Sequence, residues 1–219
     1  MATYSEGNYL GDWLKAEAEN AFSREQVVIL AGSGAARELT TGMVLSKVTK
    51  GVAASTVVSG ADTITIAPTV GAAAKVGTYH LTCIVAGATG KFLVEDPDGV
   101  TIGIATVGTE FTTHLTFTIA DAGAHAVVGD VITIAVAAGS GKWVQYSEDG
   151  GATGIDVPSG VLLLDVTAPS GADAKGVVIV RDAIINSDQI VWPSTTDATE
   201  KSAALAVLKS LGIIAREGV

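Results

Sequence analysis

Residues 113–119 read THLTFTI and residues 130–137 read DVITIAVA. In the first, Phe117 and Ile119 alternate with Thr116 and Thr118, the period-two pattern of a strand with one buried face. The second is rich in β-branched residues, which suit a pleated, half-buried surface. Four more runs share this texture: 62–67, 78–85, 91–95 and 100–106. Short turns separate them, the clearest being Asp96-Pro97-Asp98-Gly99, where Pro presets φ and Asp and Gly supply turn chemistry. Six short strands at this spacing predict a small antiparallel β-sandwich or barrel. Such a block can fold alone, so residues 51–140 read as an inserted β-sandwich-like domain.

Outward from this block the texture changes. Before it lie strands expected at 26–31, closed by Gly32-Ser33-Gly34, and at 42–48. After it lie 142–146, a longer apolar run at 161–166, and 176–184. Thr196-Asp197-Ala198-Thr199-Glu200 then opens a helix, with Asp197 and Glu200 spaced for a capping box. Ala204, Val207, Leu208 and Leu211 form an i, i+3, i+4, i+7 stripe expected to bury. Gly212 is the expected left-handed cap, and Ile213 and Ile214 a short terminal strand. The fold class is therefore mainly β: a small α+β core from 24–50 and 141–219 with one C-terminal helix, plus the inserted domain.

Residues 1–23 mix Tyr4, Tyr9, Leu10, Trp13, Leu14 and Phe22 with acidic residues. A short helix over 11–19 is conceivable, weakened by Gly11. The apolar residues keep neither a 3.6 nor a 2 period. The segment is read as an arm ordered by a partner, ahead of a docked segment covering the chain's own core.

The 219 residues carry a net charge of −10 and no Lys/Arg cluster, which argues against nucleic-acid binding. No apolar run reaches the roughly 18 residues of a membrane span, and the start shows no signal-peptide pattern. The single cysteine, Cys83, allows no internal disulfide and reads as a small buried hydrophobe. Gly139-Ser140-Gly141-Lys142 lacks the earlier glycine, the following Ser/Thr and the helix of a phosphate loop. Asp96-x-Asp98-Gly99 lacks the later ligands of a calcium loop. His80, His114 and His125 show no helical metal spacing, so no metal site is assigned. No serine sits in a strand–elbow–helix context, so no catalytic or cofactor-binding residue is assigned and the chain is not expected to be an enzyme.

Several blocks together resemble lambda-type phage head decoration proteins. The first flank supplies Phe22-Ser23-Arg24-Glu25, Val27 to Gly34 and Thr41 to Val48. The second supplies Gly160 to Leu163, Ala174 to Ala183, Ile190-Val191-Trp192-Pro193 and Leu208 to Ile213. The order and spacing of these blocks carry the likeness, over residues 22–50 and 141–219. Residues 51–140 depart from it, since a minimal member would bridge Val48 to Lys142 with a short turn.

The resemblance implies a homotrimer docked at threefold positions on the outside of an expanded capsid, against the major capsid protein. It implies a virion location after assembly in the host cytoplasm; the charge and hydropathy above add the expectation of neither nucleic-acid nor membrane partner. It also implies an N-terminal arm that adds a strand to the capsid protein. The apolar residues of that arm, Tyr9, Leu10, Trp13, Leu14 and Phe22, are then the expected capsid contacts. Phe22 is equally compatible with packing under Val28. Two other classes stay open: a virion-surface adhesion module binding host glycan or receptor through residues 51–140, and a small Gly-rich hydrolase.

Overall fold

The computed structural model describes residues 8–60, 62–64, 68–121 and 123–218; for Asn20, Thr63 and Ile64 only the backbone is described. The protein is mainly β. In chain order the elements are α1 (Leu10–Trp13), β1 (Leu14–Glu17), β2 (Arg24–Ile29), β3 (Arg37–Leu39), β4 (Val44–Lys47), β5 (Lys50–Val57), β6 (Thr63–Ile64), β7 (Thr69–Val70), β8 (Gly77–Val85), β9 (Lys91–Glu95) and β10 (Thr101–Thr106). They continue with β11 (Glu110–Phe111), β12 (Leu115–Ala120), β13 (Val131–Ala138), β14 (Trp143–Gln145), β15 (Pro158–Leu162), β16 (Val166–Ala168), β17 (Ala174–Ile179), β18 (Ala183–Asn186), α2 (Ala198–Ser210) and β19 (Ile213–Arg216).

The chain divides into two compact units. The first comprises the described residues of Met1–Val48, Gly141–Gly150 and Ile155–Val219. Its centre is a closed barrel in the order β14-β2-β17-β15-β4, beside a three-stranded sheet β1-β18-β19 and the pair β16-β3. Most neighbours are antiparallel; β14–β2 and β18–β19 are parallel. Ile29, Leu45, Trp143, Leu162 and Val178 fill one cluster, and Trp13, Val44, Val161, Ile179, Ile185, Leu208 and Ile213 fill another.

Helix α2 starts as its sequence dictates. Asp197 accepts from the Glu200 N–H at 2.8 Å, and Glu200 accepts from the Asp197 N–H at 2.7 Å. Ala204 and Leu208 are buried, but Val207 is half-buried and Leu211 is exposed, so the expected stripe is narrower than four positions. Gly212 takes φ +81°, and a Cβ there would lie 2.5 Å from Asp182 Oδ1.

Two expected strands are each broken in two. The run 161–166 is interrupted after Leu162, where Asp165 turns to accept from the Thr41 N–H at 2.7 Å. The run 176–184 is interrupted at 180–182, where Asp182 adopts φ 45° and its carbonyl accepts from Ser23 Oγ at 2.8 Å. Both breaks are made by partners more than a hundred residues away in sequence, beyond the reach of local periodicity.

The second unit comprises the described residues of Thr49–Ser140 and Gly151–Gly154. An antiparallel five-stranded sheet runs β10-β9-β8-β13-β5, and a smaller sheet holds β11, β12, β6 and β7. Tyr79, Leu81, Phe92, Val94, Ile132 and Ile134 from the first share one core with Phe111, Leu115, Phe117 and Ile119 from the second. Of the expected strand 62–67, Thr63–Ile64 is present and residues 65–67 lie outside the described residues. Local pattern missed β5, β7 and β11. Cys83 is buried and its thiol contacts the Val85 carbonyl at 3.3 Å; burial pushes its pKa up.

The Asp96–Gly99 turn joins β9 to β10. Asp96 accepts from the backbone N–H groups of Asp98 and Val100, each at 2.9 Å, and Lys75 Nζ lies 2.6 Å from both Asp96 and Asp98. The Lys75 ammonium and these N–H groups hold the Asp96 carboxyl below the usual aspartate range. The unfolded chain therefore binds this proton more tightly than the folded one. The stabilisation is complete above the unfolded aspartate pKa and is lost as pH falls through the lowered folded value. The unfolding temperature of the wild type should fall more steeply than that of Asp96→Asn between about pH 5 and pH 2. Parallel curves in a pH series of thermal melts would refute this.

Candidate capsid-facing surface

In this structure residues 8–22 are a docked segment rather than a loose arm. Tyr9 and Asp12 close one helical turn, the Tyr9 N–H donating to Asp12 Oδ2 at 2.8 Å and the Asp12 N–H to the Tyr9 carbonyl at 2.9 Å. The conceivable helix over 11–19 stops there, because β1 leaves it to pair antiparallel with β18, Leu14 opposite Ile185 and Glu17 opposite Ala183. Ladder hydrogen bonds and burial of Trp13 outweigh whatever residues 14–19 would gain from a marginal short helix. Residues 1–7 of the expected arm lie outside the described residues.

The five sequence-derived contact residues separate by exposure. Trp13 is 0% exposed. Its indole N–H donates to Thr41 Oγ1 at 2.9 Å, and that hydroxyl donates to the Leu163 carbonyl at 2.8 Å. Gly42, at φ +80°, completes the seat, since a Cβ there would sit 3.2 Å from Trp13 Cδ1. Leu10 and Leu14 are half-buried against the same core. Tyr9 and Phe22 are 60% and 56% exposed. The segment thus carries one anchor inward and two aromatic rings outward. Phe22 does not disappear under Val28, which is itself exposed.

Two ion pairs lie on the same stretch of chain, one of them at Phe22. Glu17 and Arg24 form a two-pronged ion pair, Arg24 Nε lying 2.8 Å from Glu17 Oε2. The Arg24 guanidinium holds the Glu17 carboxyl below its ordinary range. The Arg181 guanidinium lies 5.2 Å from the Phe22 ring centre and donates to the Phe22 carbonyl at 3.1 Å, while also pairing with Glu25. Arg181 and Glu25 continue into an open groove of about 410 Å³ whose apolar lining includes Val157, Val180, Val207 and Leu211. Sequence reasoning missed this groove. Its one legible sign was Leu211, the last residue of the helical stripe, which has no core left to cover.

Among the described residues no three His, Cys, Asp or Glu side chains gather where a metal could sit. The three histidines are scattered. His125 Nδ1 lies 2.8 Å from Asp121 Oδ1, the His114 ring meets Tyr79 edge-on, and His80 lies on β8. Lys142 pairs with Asp173 at 2.6 Å, and Trp143 opens a strand rather than a helix. No described helix is long and apolar enough to cross a membrane.

No protein of curated function matches the chain. Two crystal structures of Xanthomonas campestris FlgL match with a TM-score of 0.31 each, at 15% and 14% identity. They cover 44% and 52% of this chain, which in turn spans only 32% and 42% of theirs, and a likeness that slight carries no argument. The family model for the bacteriophage lambda head decoration protein D matches residues 3–213, running from the docked N-terminal segment through both compact units to the strand after α2. With nearly its whole length inside that match, the chain belongs to the lambda head decoration protein D family.

Proposed function

We propose that the protein is a cementing protein of a phage head: it trimerises on the outer surface of the expanded capsid at threefold positions and holds the shell against the outward push of packaged DNA. The family match over residues 3–213 is the observation that carries this reading. The partner is the major capsid protein, met after assembly in the host cytoplasm. The work is adhesion, which needs area, shape and valency but no reactive group. A trimer engaging equivalent sites gains avidity without any new kind of contact.

On this reading residues 24–50 and 141–219 are the decoration core and 51–140 an insertion, in keeping with the separate hydrophobic core of the second unit. Tyr9, Leu10, Leu14 and Phe22 touch the capsid protein. Trp13 holds the segment in register from within until the capsid offers an alternative seat. A strand such as β1, whose far side is an open sheet edge, is suited to backbone pairing with a capsid strand. The outward rings of Tyr9 and Phe22 provide the aromatic anchors that dominate many interfaces.

The test is direct. Purified protein mixed with undecorated expanded heads should bind them and raise the temperature at which they release DNA, and should ignore unexpanded heads. Heads no more heat-resistant with the protein than without it would overturn the reading.

A further inference from the structure

The loop between β2 and β3 ends on a positive charge that no carboxylate answers. Backbone alone pins the Arg37 guanidinium: Nε donates to the Leu30 carbonyl at 3.0 Å, and a terminal nitrogen lies 3.5 Å from the Ala31 carbonyl. Among the described residues no carboxylate lies within ion-pair distance of it, whereas Arg24 and Arg181 each face a glutamate. Two acids come close in sequence or in the fold and are turned elsewhere. Glu38 follows Arg37 on β3, so strand alternation sends it to the opposite face. Asp173 accepts from the Ala31 N–H at 3.0 Å and is paired with Lys142 at 2.6 Å.

The backbone beside Arg37 is open to a ligand. Residues 32–36 read GSGAA, so no side chain larger than that of serine covers the main chain. The N–H groups of Ser33, Gly34, Ala35 and Ala36 find no acceptor among the described residues. Gly34 takes φ +75°, with nothing within 4 Å of its Cβ position. A Cβ on Gly32 would lie 2.0 Å from the Ala35 carbonyl oxygen, so only glycine lets the loop fold back this tightly. Successive N–H groups around a residue of positive φ make concavities that take anions. Here Gly32, Ser33, Ala35, Ala36 and Arg37 line an open hollow of about 240 Å³.

We propose that this loop binds one oxyanion group, a carboxylate or a phosphate, between the Arg37 guanidinium and the backbone of residues 33–36. The donor set selects that ligand. A guanidinium and backbone N–H groups match the oxygens of such a group, and they offer nothing to a cation or an apolar ligand. On a protein of net charge −10, a fixed cation without a carboxylate draws an anion that most of the surface repels. The group comes either as a free ion or as an acidic side chain of a neighbouring protein, and the experiment separates the two. The site itself does not rest on the decoration reading; only the second arm of the experiment does.

The experiment follows the backbone amide resonances of the full chain as inorganic phosphate is added, with sodium chloride at equal ionic strength as control. The signals of Ser33 to Ala36 should move and saturate with phosphate and stay in place with chloride. Arg37→Gln should weaken this binding roughly tenfold, Arg37→Lys should retain part of it, and Arg216→Gln should leave it unchanged. No saturating movement, movement that chloride reproduces, or movement undiminished in Arg37→Gln would each overturn the proposal. Should Arg37→Gln fail to fold, the wild-type titration decides alone. In the second arm, wild type and Arg37→Gln are compared for binding to expanded heads. Weaker binding by the variant identifies the ligand as a capsid carboxylate, and equal binding identifies it as a free ion. Heads that bind neither protein defeat the decoration reading and leave the titration to judge the site.

Discussion

Replacing Trp13 with Ala should cost about 3–5 kcal/mol of stability, the range for losing a large buried aromatic side chain. The indole is the largest fully buried side chain of the first unit, and nothing beside it can collapse cheaply into the space. Gly42 has no side chain to move inward, and Thr41 is fixed by its bond to the Leu163 carbonyl. Trp13→Phe keeps a six-membered ring in the seat but loses the N–H donor and the rest of the indole's bulk, so it should cost less than the alanine, about 1–3 kcal/mol. Urea unfolding followed at the midpoint, with the slope checked for constancy, measures both. The result separates two pictures of residues 8–22. A segment docked in the free protein makes Trp13→Ala strongly destabilising. A segment that orders only on the capsid would leave the midpoint within about 0.5 kcal/mol of wild type and show its loss in head binding alone.

The same magnitude, about 3–5 kcal/mol, is expected for Phe92→Ala in the second unit. Phe92 is 0% exposed in the core shared by the two sheets of residues 49–140. All three tryptophans, Trp13, Trp143 and Trp192, belong to the first unit, so Trp fluorescence reports that unit and leaves the other silent. Phe92→Ala should move the far-ultraviolet circular dichroism transition of the second unit while the fluorescence transition shifts by less than about 0.5 kcal/mol. Trp13→Ala should do the reverse. Coincident shifts by both probes in either variant would show one cooperative body and remove the physical basis for treating 51–140 as an autonomous insertion. On the decoration reading, Phe92→Ala should also keep its affinity for expanded heads.

These two substitutions mark where local pattern succeeded and where it failed. Phe92 sits in a run, 91–95, read as a strand from its texture, and β9 occupies those same residues. Trp13 sits where no period was visible, because its segment combines one helical turn with a four-residue strand, each too short to show a repeat. β5 was missed for a related reason. Gly51 to Val58 has small residues on both faces, so alternation in burial leaves little alternation in hydropathy.

The sequence by itself determined the mainly β character, the alternating strands of 78–137, the capped start of α2 at Asp197 and Glu200, and the left-handed stop at Gly212. Each is set by residues within a turn or a strand of one another, where backbone sterics and short hydrogen bonds decide. Only tertiary structure decided that Trp13 turns inward to Thr41, that the apolar runs 161–166 and 176–184 break where Asp165 and Asp182 meet distant partners, and that Leu211 is left in an open groove. Those outcomes depend on contacts between residues tens to more than a hundred positions apart, which a period along the chain can require but cannot assign.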